Sequence, residues 1–306
     1  MLLAPTHGRM YPSHVSAIRR CVLPMLLFAA VACSSSSEDN RANQNLPTVT
    51  HAVVKLQRTK STNVTVTDQA NVLFSVLRMP ATLDSRNIVR LVGLSANAPD
   101  WGQCERLDFS VTPTEATASV QRVELLDVGD VSLSAAGRSS LLVRQAFPTV
   151  TDFIAGVVYT TRDLSSAPLP PSTSYTLAAR GALGVSAFKI KVDAPLEPSD
   201  VMIDGIALSQ VSRLSRGQSV QFTWKPGAPG DKVEIQIKNP DRPGDVSCVF
   251  DDAAGKGHLP SDAFVAQGTV RLEFHRLRTA SSNIKGFDRT QIEFDYSLDH
   301  LLEVVD

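Results

Sequence analysis

From Pro47 to the C-terminus, short apolar runs rich in Val, Thr, Leu and Phe alternate with polar breaks. Gly, Pro, Asn or Asp interrupts these runs about every 8–12 residues, a spacing typical of β-sandwiches. Around Val233, Ile235 and Ile237, apolar side chains alternate with charged or polar ones, which predicts a strand with one buried and one wet face. No long amphipathic helical pattern is present. The chain is therefore predicted to be all-β and built from β-sandwich domains.

The strand pattern is clearest in twelve segments. They are His51–Gln57, Val72–Leu77, Ile88–Val92, Val120–Leu125, Ile154–Tyr159, Ser174–Ala179, Ser186–Val192, Val220–Trp224, Lys232–Lys238, Val246–Phe250, Thr269–Leu277 and Gln291–Leu298. One further segment, Pro260–Gln267 followed by Gly268, predicts a short helix with Ser261 as its cap.

The stretch Asp193–Asp200 (DAPLEPSD) carries two prolines and no strand pattern. Such a stretch is typical of a linker, so it predicts a boundary between two domains, residues 47–195 and 196–306. The first domain is long for one sandwich, which leaves a sub-boundary near Asp108 open.

The segment Leu169–Tyr175 (LPPSTSY) matches the L-x-P-x-T-x-Y pattern of fibronectin type III domains. In that motif the tyrosine ring packs into the sandwich and its hydroxyl bonds back to the turn backbone. From Asp108 to Pro195 the chain therefore resembles a fibronectin type III domain, which implies that Tyr175 forms a structural tyrosine corner. The second half resembles an immunoglobulin-like domain, since Arg216–Trp224 is a turn followed by a strand that ends in tryptophan.

Charge and composition exclude one class of partner. Apolar residues make up 43% of the 306 residues, which is enough to fill a core. Lys and Arg number 30 against 31 Asp and Glu, and three Arg but no acid lie in the first 33 residues, so the rest of the chain has a net charge of −4. Nucleic acids and anionic lipid surfaces require clustered Lys and Arg, so we predict no nucleic-acid partner.

The N-terminal segment has the order of an export signal. Arg19 and Arg20 precede a 12-residue apolar run, Cys21–Ala32, and Cys33 follows it. The run is shorter than the roughly 20 residues that a membrane-spanning helix needs. Residues 1–32 are therefore predicted to be a signal peptide, with either Met1 or Met10 as its start.

The box Ala30-Val31-Ala32-Cys33 resembles the export signal of bacterial lipoproteins. That resemblance implies that Cys33 carries the lipid and anchors the protein to a membrane, and Ser34 in place of Asp implies the outer membrane. Residues 33–46 are Ser-rich and nearly free of apolar side chains, which predicts a disordered tether. The alternative is a freely secreted protein, because Ala30-Val31-Ala32 also fits the A-x-A rule. The sequence leaves open which side of the outer membrane the domains face.

Cys104 and Cys248 are the two cysteines outside the predicted export signal and lipid site. An exported protein carries them into an oxidising compartment, where disulfides form. Either they form a disulfide that staples the two predicted domains together, or they are two separately buried thiols. The sequence leaves both alternatives open.

Two sets of polar side chains are candidates for a metal site. Asp251 and Asp252 suggest a calcium loop, but only two carboxylates are local, which favours a polar hairpin loop. His258, His275 and His300 lack metal-ligand spacing and are predicted to be solvated, with His275 pointing outward from its strand.

Three arginines, Arg271, Arg276 and Arg278, cluster on one predicted strand. They suggest either a basic stripe for an anionic glycan or a solvated strand face. The chain has no G-x-S-x-G, Walker loop or G-x-G-x-x-G.

The sequence therefore predicts no catalytic residues, no cofactor and no metal. We expect a non-catalytic envelope lipoprotein that binds a protein or polysaccharide partner, as in adhesion. The alternatives are a structural subunit of an envelope secretion or motility complex and, more distantly, a hydrolase whose triad assembles only in three dimensions.

Overall fold

The alternating pattern produces an all-β fold, as predicted. The computed structural model describes residues 47–62, 68–85, 88–89, 102–107, 122–150, 154–161, 169–239, 245–265 and 267–306. The predicted signal peptide, Cys33, the tether and the sub-boundary near Asp108 lie outside these ranges. Within them, no helix is both long and apolar enough to span a bilayer.

The strands fall on both sides of the proline-containing stretch 193–200. In the first half they are β1 (Thr48–Ser61), β2 (Gln69–Pro80), β3 (Cys104–Leu107), β4 (Val123–Leu125), β5 (Val131–Ala135), β6 (Arg138–Leu141), β7 (Val143–Val150), β8 (Ile154–Thr160), β9 (Ser174–Ala179) and β10 (Phe188–Asp193). In the second half they are β11 (Met202–Ile203), β12 (Ile206–Ala207), β13 (Arg213–Ser215), β14 (Val220–Thr223), β15 (Lys232–Lys238), β16 (Asp245–Asp251), β17 (Lys256–Leu259), β18 (Gly268–Ser281) and β19 (Arg289–Val305). Short 3-10 helices cover Leu208–Gln210, Asp252–Ala254 and Ser261–Phe264.

These strands form one large sheet and two small ones. The large sheet, here called the central sheet, has the order β3-β16-β15-β18-β19-β1-β2-β4-β8-β7, and β13 also pairs with β19. The first small sheet has the order β10-β9-β5-β6, and the second has the order β12-β11-β14-β17. β1 lies in the middle of the central sheet, antiparallel to β2 and parallel to β19.

Each small sheet packs its apolar face against the central sheet. Phe74 and Phe294 of the central sheet share one core with Leu177 and Ile190 of the first small sheet. A second core joins the central sheet to the second small sheet, with Phe274 and Ile235 on one side and Phe222 and Leu259 on the other. The fold therefore consists of two sandwich-like units, and the central sheet is one of the two layers in each. Its likeness to immunoglobulin domains in particular remains a prediction.

The two predicted halves of the chain meet in β19. Ala194 belongs to the first core and Val201 to the second, so the stretch between them separates two cores. Phe294 and Tyr296 of β19 pack in the first core, whereas Leu302 and Val304 pack in the second. The segment Leu46–Asp306 consequently forms one compact unit.

Two local predictions differ from the structure. Ile88 and Val89, predicted to begin a strand, are helical. Ser261 starts a four-residue 3-10 helix, and Pro260 occupies the cap position without a side-chain hydrogen bond. Proline presets the extended backbone of that position but has no side-chain acceptor, so the serine cap does not form.

Candidate functional site

A layer of charged side chains covers one face of the central sheet. Side chains two residues apart on a strand share a face, so Glu273 and His275 of β18 point the same way, opposite to Phe274. Glu234 of β15 lies directly across from His275 in the strand register. Both faces of β18 are buried between residues 274 and 277. The prediction of a solvated, outward His275 is therefore wrong, because the face opposite the apolar core is also covered.

His275 is held between two carboxylates. Its Nδ1 lies 2.7 Å from Asp295 Oδ1, and its Nε2 lies 3.2 Å from Glu273 Oε2. Burial alone would lower the pKa of His275, but the charge and hydrogen bond of Asp295, together with Glu273, raise it to about 10. The ring is thus a buried imidazolium with both N–H groups donating. A general base needs a free ring nitrogen, which His275 does not have in this arrangement.

Other carboxylates in this layer are less completely paired. Glu234 Oε1 accepts from Gln236 and from Ser247, but its Oε2 has no hydrogen-bond partner within the described residues. Glu293 Oε1 also lacks a hydrogen bond there and lies 3.7 Å from Lys55 Nζ. Burial raises the pKa of Glu293 to about 7, against the opposing charge of Lys55. This carboxyl therefore titrates near neutral pH.

A second buried charge pair lies on the opposite face of β18. Arg276 is 1% exposed and its guanidinium lies 3.0 Å from Asp252 Oδ1, which belongs to a residue that is 0% exposed. The same guanidinium donates to the Glu197 carbonyl at 3.0 Å. Arg276 thereby ties the linker to β18. The predicted polar hairpin loop does not form, because Asp251 and Asp252 lead from β16 into a short 3-10 helix and Asp252 is buried in this pair.

The predicted arginine stripe does not form. Arg278 makes two hydrogen bonds to Asp231, at 2.6 and 2.8 Å, and Arg276 is buried beside it. Arg271 is an odd number of residues away from Arg276, so its side chain lies on the opposite face of β18. There it pairs with Asp299 at 3.6 Å. The three arginines therefore form no common basic stripe, and the alternative of a solvated face holds for Arg271 alone.

His258 is exposed, whereas His300 is 1% exposed. The Nε2 of His300 lies 2.5 Å from the Val211 carbonyl, so that nitrogen must donate, and its Nδ1 lies 2.6 Å from Thr62 Oγ1. His300 joins three segments of the chain and is not solvated as predicted. Among the described residues, no group of three or more His, Cys, Asp or Glu side chains is arranged to hold a metal ion.

Cys104 and Cys248 form a disulfide between directly opposed residues of β3 and β16. Cys248 is fully buried, whereas Cys104 is exposed. Of the two alternatives, the structure contains the bond.

Tyr175 lies at the start of β9, is 1% exposed, and donates from its hydroxyl to the Pro170 carbonyl at 3.0 Å.

The first small sheet ends in an exposed strand, β6. All four of its residues are exposed, and the exposed fraction of Leu141 is 68%. The turn that leads into it, Ala136-Gly137, has φ of 49° and 76°, which is the left-handed pair expected of a type I′ hairpin. Sequence reasoning missed β6 because the string Arg-Ser-Ser-Leu has no alternating apolar face.

This chain shows similarity to known proteins among solved structures. No protein family matches it, and no curated protein matches it. Among solved structures, it is similar to the Fcho1 Mu homology domain of Danio rerio with bound Eps15 peptide. That similarity covers 86% of this chain and 99% of the other, with 11% sequence identity and a TM-score of 0.25.

Proposed function

We propose that this protein is a lipid-anchored protein of the bacterial outer membrane that binds a protein partner without catalysing a reaction. The observation that carries the binding role is β6, an exposed strand whose outer edge has no partner strand in the described part of the sheet. An unpaired edge presents a row of backbone donors and acceptors to other chains. Anchoring rests on the order of residues around Cys33.

A protein partner is better supported than a polysaccharide. Carbohydrate and small-molecule sites are commonly lined by aromatic rings. In the described ranges, the exposed large apolar side chains are all Leu, Met, Ile or Val. A small apolar space of about 10 Å³ lies between Leu177, Ile190 and Val54 in the first core, with room for about one water molecule.

The anchoring half of the proposal is tested by replacing Cys33. With a tag after Asp306 and expression in a Gram-negative host, the wild-type protein should partition into detergent and fractionate with outer membranes. Cys33→Ser should move it to the aqueous phase, whereas the matched control Cys21→Ser should not. Equal partitioning of Cys33→Ser and wild type would contradict lipid attachment at this residue.

The side of the membrane is tested by treating intact cells with an impermeant protease. Loss of the tag would place the domains outside and support a surface-binding role. Protection until the outer membrane is opened would contradict adhesion and direct the search to periplasmic partners.

A further inference from the structure

The register of the β5–β6 hairpin fixes which backbone groups of β6 point outward. Leu142 N donates to the Val131 carbonyl at 2.9 Å, so residues 131 and 142 form a hydrogen-bonded pair. In an antiparallel ladder such pairs alternate with non-hydrogen-bonded ones. The pairs Ser132–Leu141 and Ser134–Ser139 are therefore the non-hydrogen-bonded ones. The N–H and C=O groups of Ser139 and Leu141 consequently point away from β5, toward the edge that has no partner strand among the described residues.

Other edge strands carry features that discourage pairing, and β6 does not. Exposed lysines, prolines, bulges and very short strands protect natural sheet edges. β10, the opposite edge of the same sheet, carries exposed Lys189 and Lys191. β7 contains Pro148 and a register shift, and β12 has only two residues. β6 has none of these features and carries a single exposed charge, Arg138, at its start, so it is the less protected edge of the first small sheet.

The edge is held in an extended conformation before any partner arrives. Leu142, next to β6, is 7% exposed and packs in the first core. Ser134 and Ser139 form a side-chain hydrogen bond at 2.9 Å across the hairpin. Preorganisation of this kind lowers the entropy lost on binding.

The charge of the segment selects the kind of partner. Arg138–Phe147 contains two arginines and no acidic residue. Arg138 is exposed, and Arg144 is 60% exposed on its side chain while paired with Asp127. A second copy added antiparallel about Ser140 would pair Ser139 with Leu141 without opposing two arginines, so a second copy is tested below as the alternative occupant. Added about Leu141, it would place Arg138 opposite Arg144 at both ends, and like charges opposite each other are destabilising. An acidic strand meets no such repulsion.

We propose that β6 is a strand-addition site for an extended, acidic segment of a partner protein, with an apolar residue packed against Leu141. This inference rests on the proposed binding function and names the class of partner. Backbone hydrogen bonds to Ser139 and Leu141 supply affinity, and Arg138 and Leu141 supply selectivity.

The test uses full-length protein in detergent and a labelled ten-residue peptide of alternating Glu and Val with blocked ends. We expect saturable binding by fluorescence anisotropy and none to the matched Lys/Val peptide. Leu141→Pro removes an outward N–H and should weaken binding at least tenfold, and Arg138→Glu should weaken it several-fold. Ser140→Pro is the control for the hairpin, because its N–H points inward and its loss should lower the unfolding midpoint.

A Glu/Val peptide N-methylated at alternate residues tests the backbone hydrogen bonds to β6 without altering the protein. It should bind at least tenfold more weakly than the unmethylated peptide. Absent binding, equal binding of both charged peptides, or unchanged binding by Leu141→Pro would overturn the proposal. Dimerisation that is lost in Leu141→Pro would assign the edge to a second copy and also overturn it. Because this assay needs no membrane, its outcome is independent of the Cys33 experiment.

Discussion

Gly227 lies where the two buried arginine–aspartate pairs approach each other. Its backbone N–H donates to Asp252 Oδ2 at 2.7 Å. A Cβ at this position would lie 2.3 Å from that same oxygen and 3.1 Å from Arg276 Nε. The position therefore requires glycine for space, because no side chain fits without displacing a buried charge.

Gly227→Ala should destabilise the protein by about 3 kcal/mol or more, since displacing one member of a buried ion pair leaves the other uncompensated. Gly230→Ala, in the same loop, is the matched control. A Cβ at Gly230 meets nothing within 4 Å, and its φ of 88° costs an alanine about 1–2 kcal/mol. Urea unfolding should separate the two variants, and equal losses would contradict the clash.

Glu293 should make stability depend on pH near neutrality. Its folded pKa of about 7 lies above the ordinary 4.5, so its contribution is complete below pH 4.5 and is lost as the pH rises through 7. Glu293→Gln cannot ionise, so above pH 7 it should be more stable than wild type by up to about 3 kcal/mol. Urea unfolding from pH 5 to 8 measures this difference, with exposed Glu124→Gln as the control. A constant difference across that range would contradict it.

His275 shows where residue-level prediction from the sequence ends. Alternation correctly places it opposite Phe274, yet exposure does not follow from alternation when both faces of a strand are buried. The partners Asp295 and Glu273 lie 20 and 2 residues away, and only the strand register brings Asp295 to the ring. The two-residue spacing from Glu273 was visible in the sequence, but it gave no indication of burial.

At the scale of elements, two tyrosines from different strands share one acceptor. Tyr175 of β9 and Tyr296 of β19 donate to the Pro170 carbonyl at 3.0 and 3.3 Å. The rings of both contact Phe294 at centroid distances of 5.5 and 6.1 Å. The turn before β9 is thereby fixed to the central sheet.

Tyr175→Phe and Tyr296→Phe should each cost about 1 kcal/mol, because the Pro170 carbonyl keeps one donor in either single variant. The double variant leaves that partly buried carbonyl without a side-chain donor, so its loss should exceed the sum of the two. A double-mutant cycle by thermal or urea unfolding measures the coupling. Strict additivity would indicate that water replaces the missing hydroxyl.

Long strands with a buried apolar face are the most predictable, although the short β5 was missed despite its buried Val131 and Leu133. β15 was predicted to its exact residues because Val233, Ile235 and Ile237 alternate. β6 and β3 were missed, since the described residues of these edge strands are exposed and leave no apolar pattern. Pairing was also inaccessible, because nothing in the sequence indicates that β1 adds parallel to β19.

At the scale of the whole molecule, the Cys104–Cys248 disulfide closes a loop with a sequence separation of 144. A disulfide that closes a loop of this length lowers the entropy of the unfolded chain. The folded state is thereby stabilised by about 3–5 kcal/mol. Cys104→Ser with Cys248→Ser should lose that amount and speed amide exchange in β3 and β16. A reductant should destabilise wild type but not the double variant, and equal sensitivity of both would contradict the bond.

Because β19 packs in both cores, the two halves should unfold together. A single transition, coincident by tryptophan fluorescence and far-ultraviolet circular dichroism, is expected. Two separated transitions would instead support independently stable domains at the predicted boundary, residues 195 and 196.

The position of β1 determines when the sheet can be completed during synthesis. Its partner on one side, β2, follows within a few residues, but its other neighbour begins only at Arg289. A chain still emerging from the ribosome therefore carries β1 with one long edge open until β19 has been synthesised. Contacts this distant in sequence form slowly. Such a chain stays unfinished until β19 has been synthesised, so the open edge of β1 is exposed to other chains while the intervening residues are made.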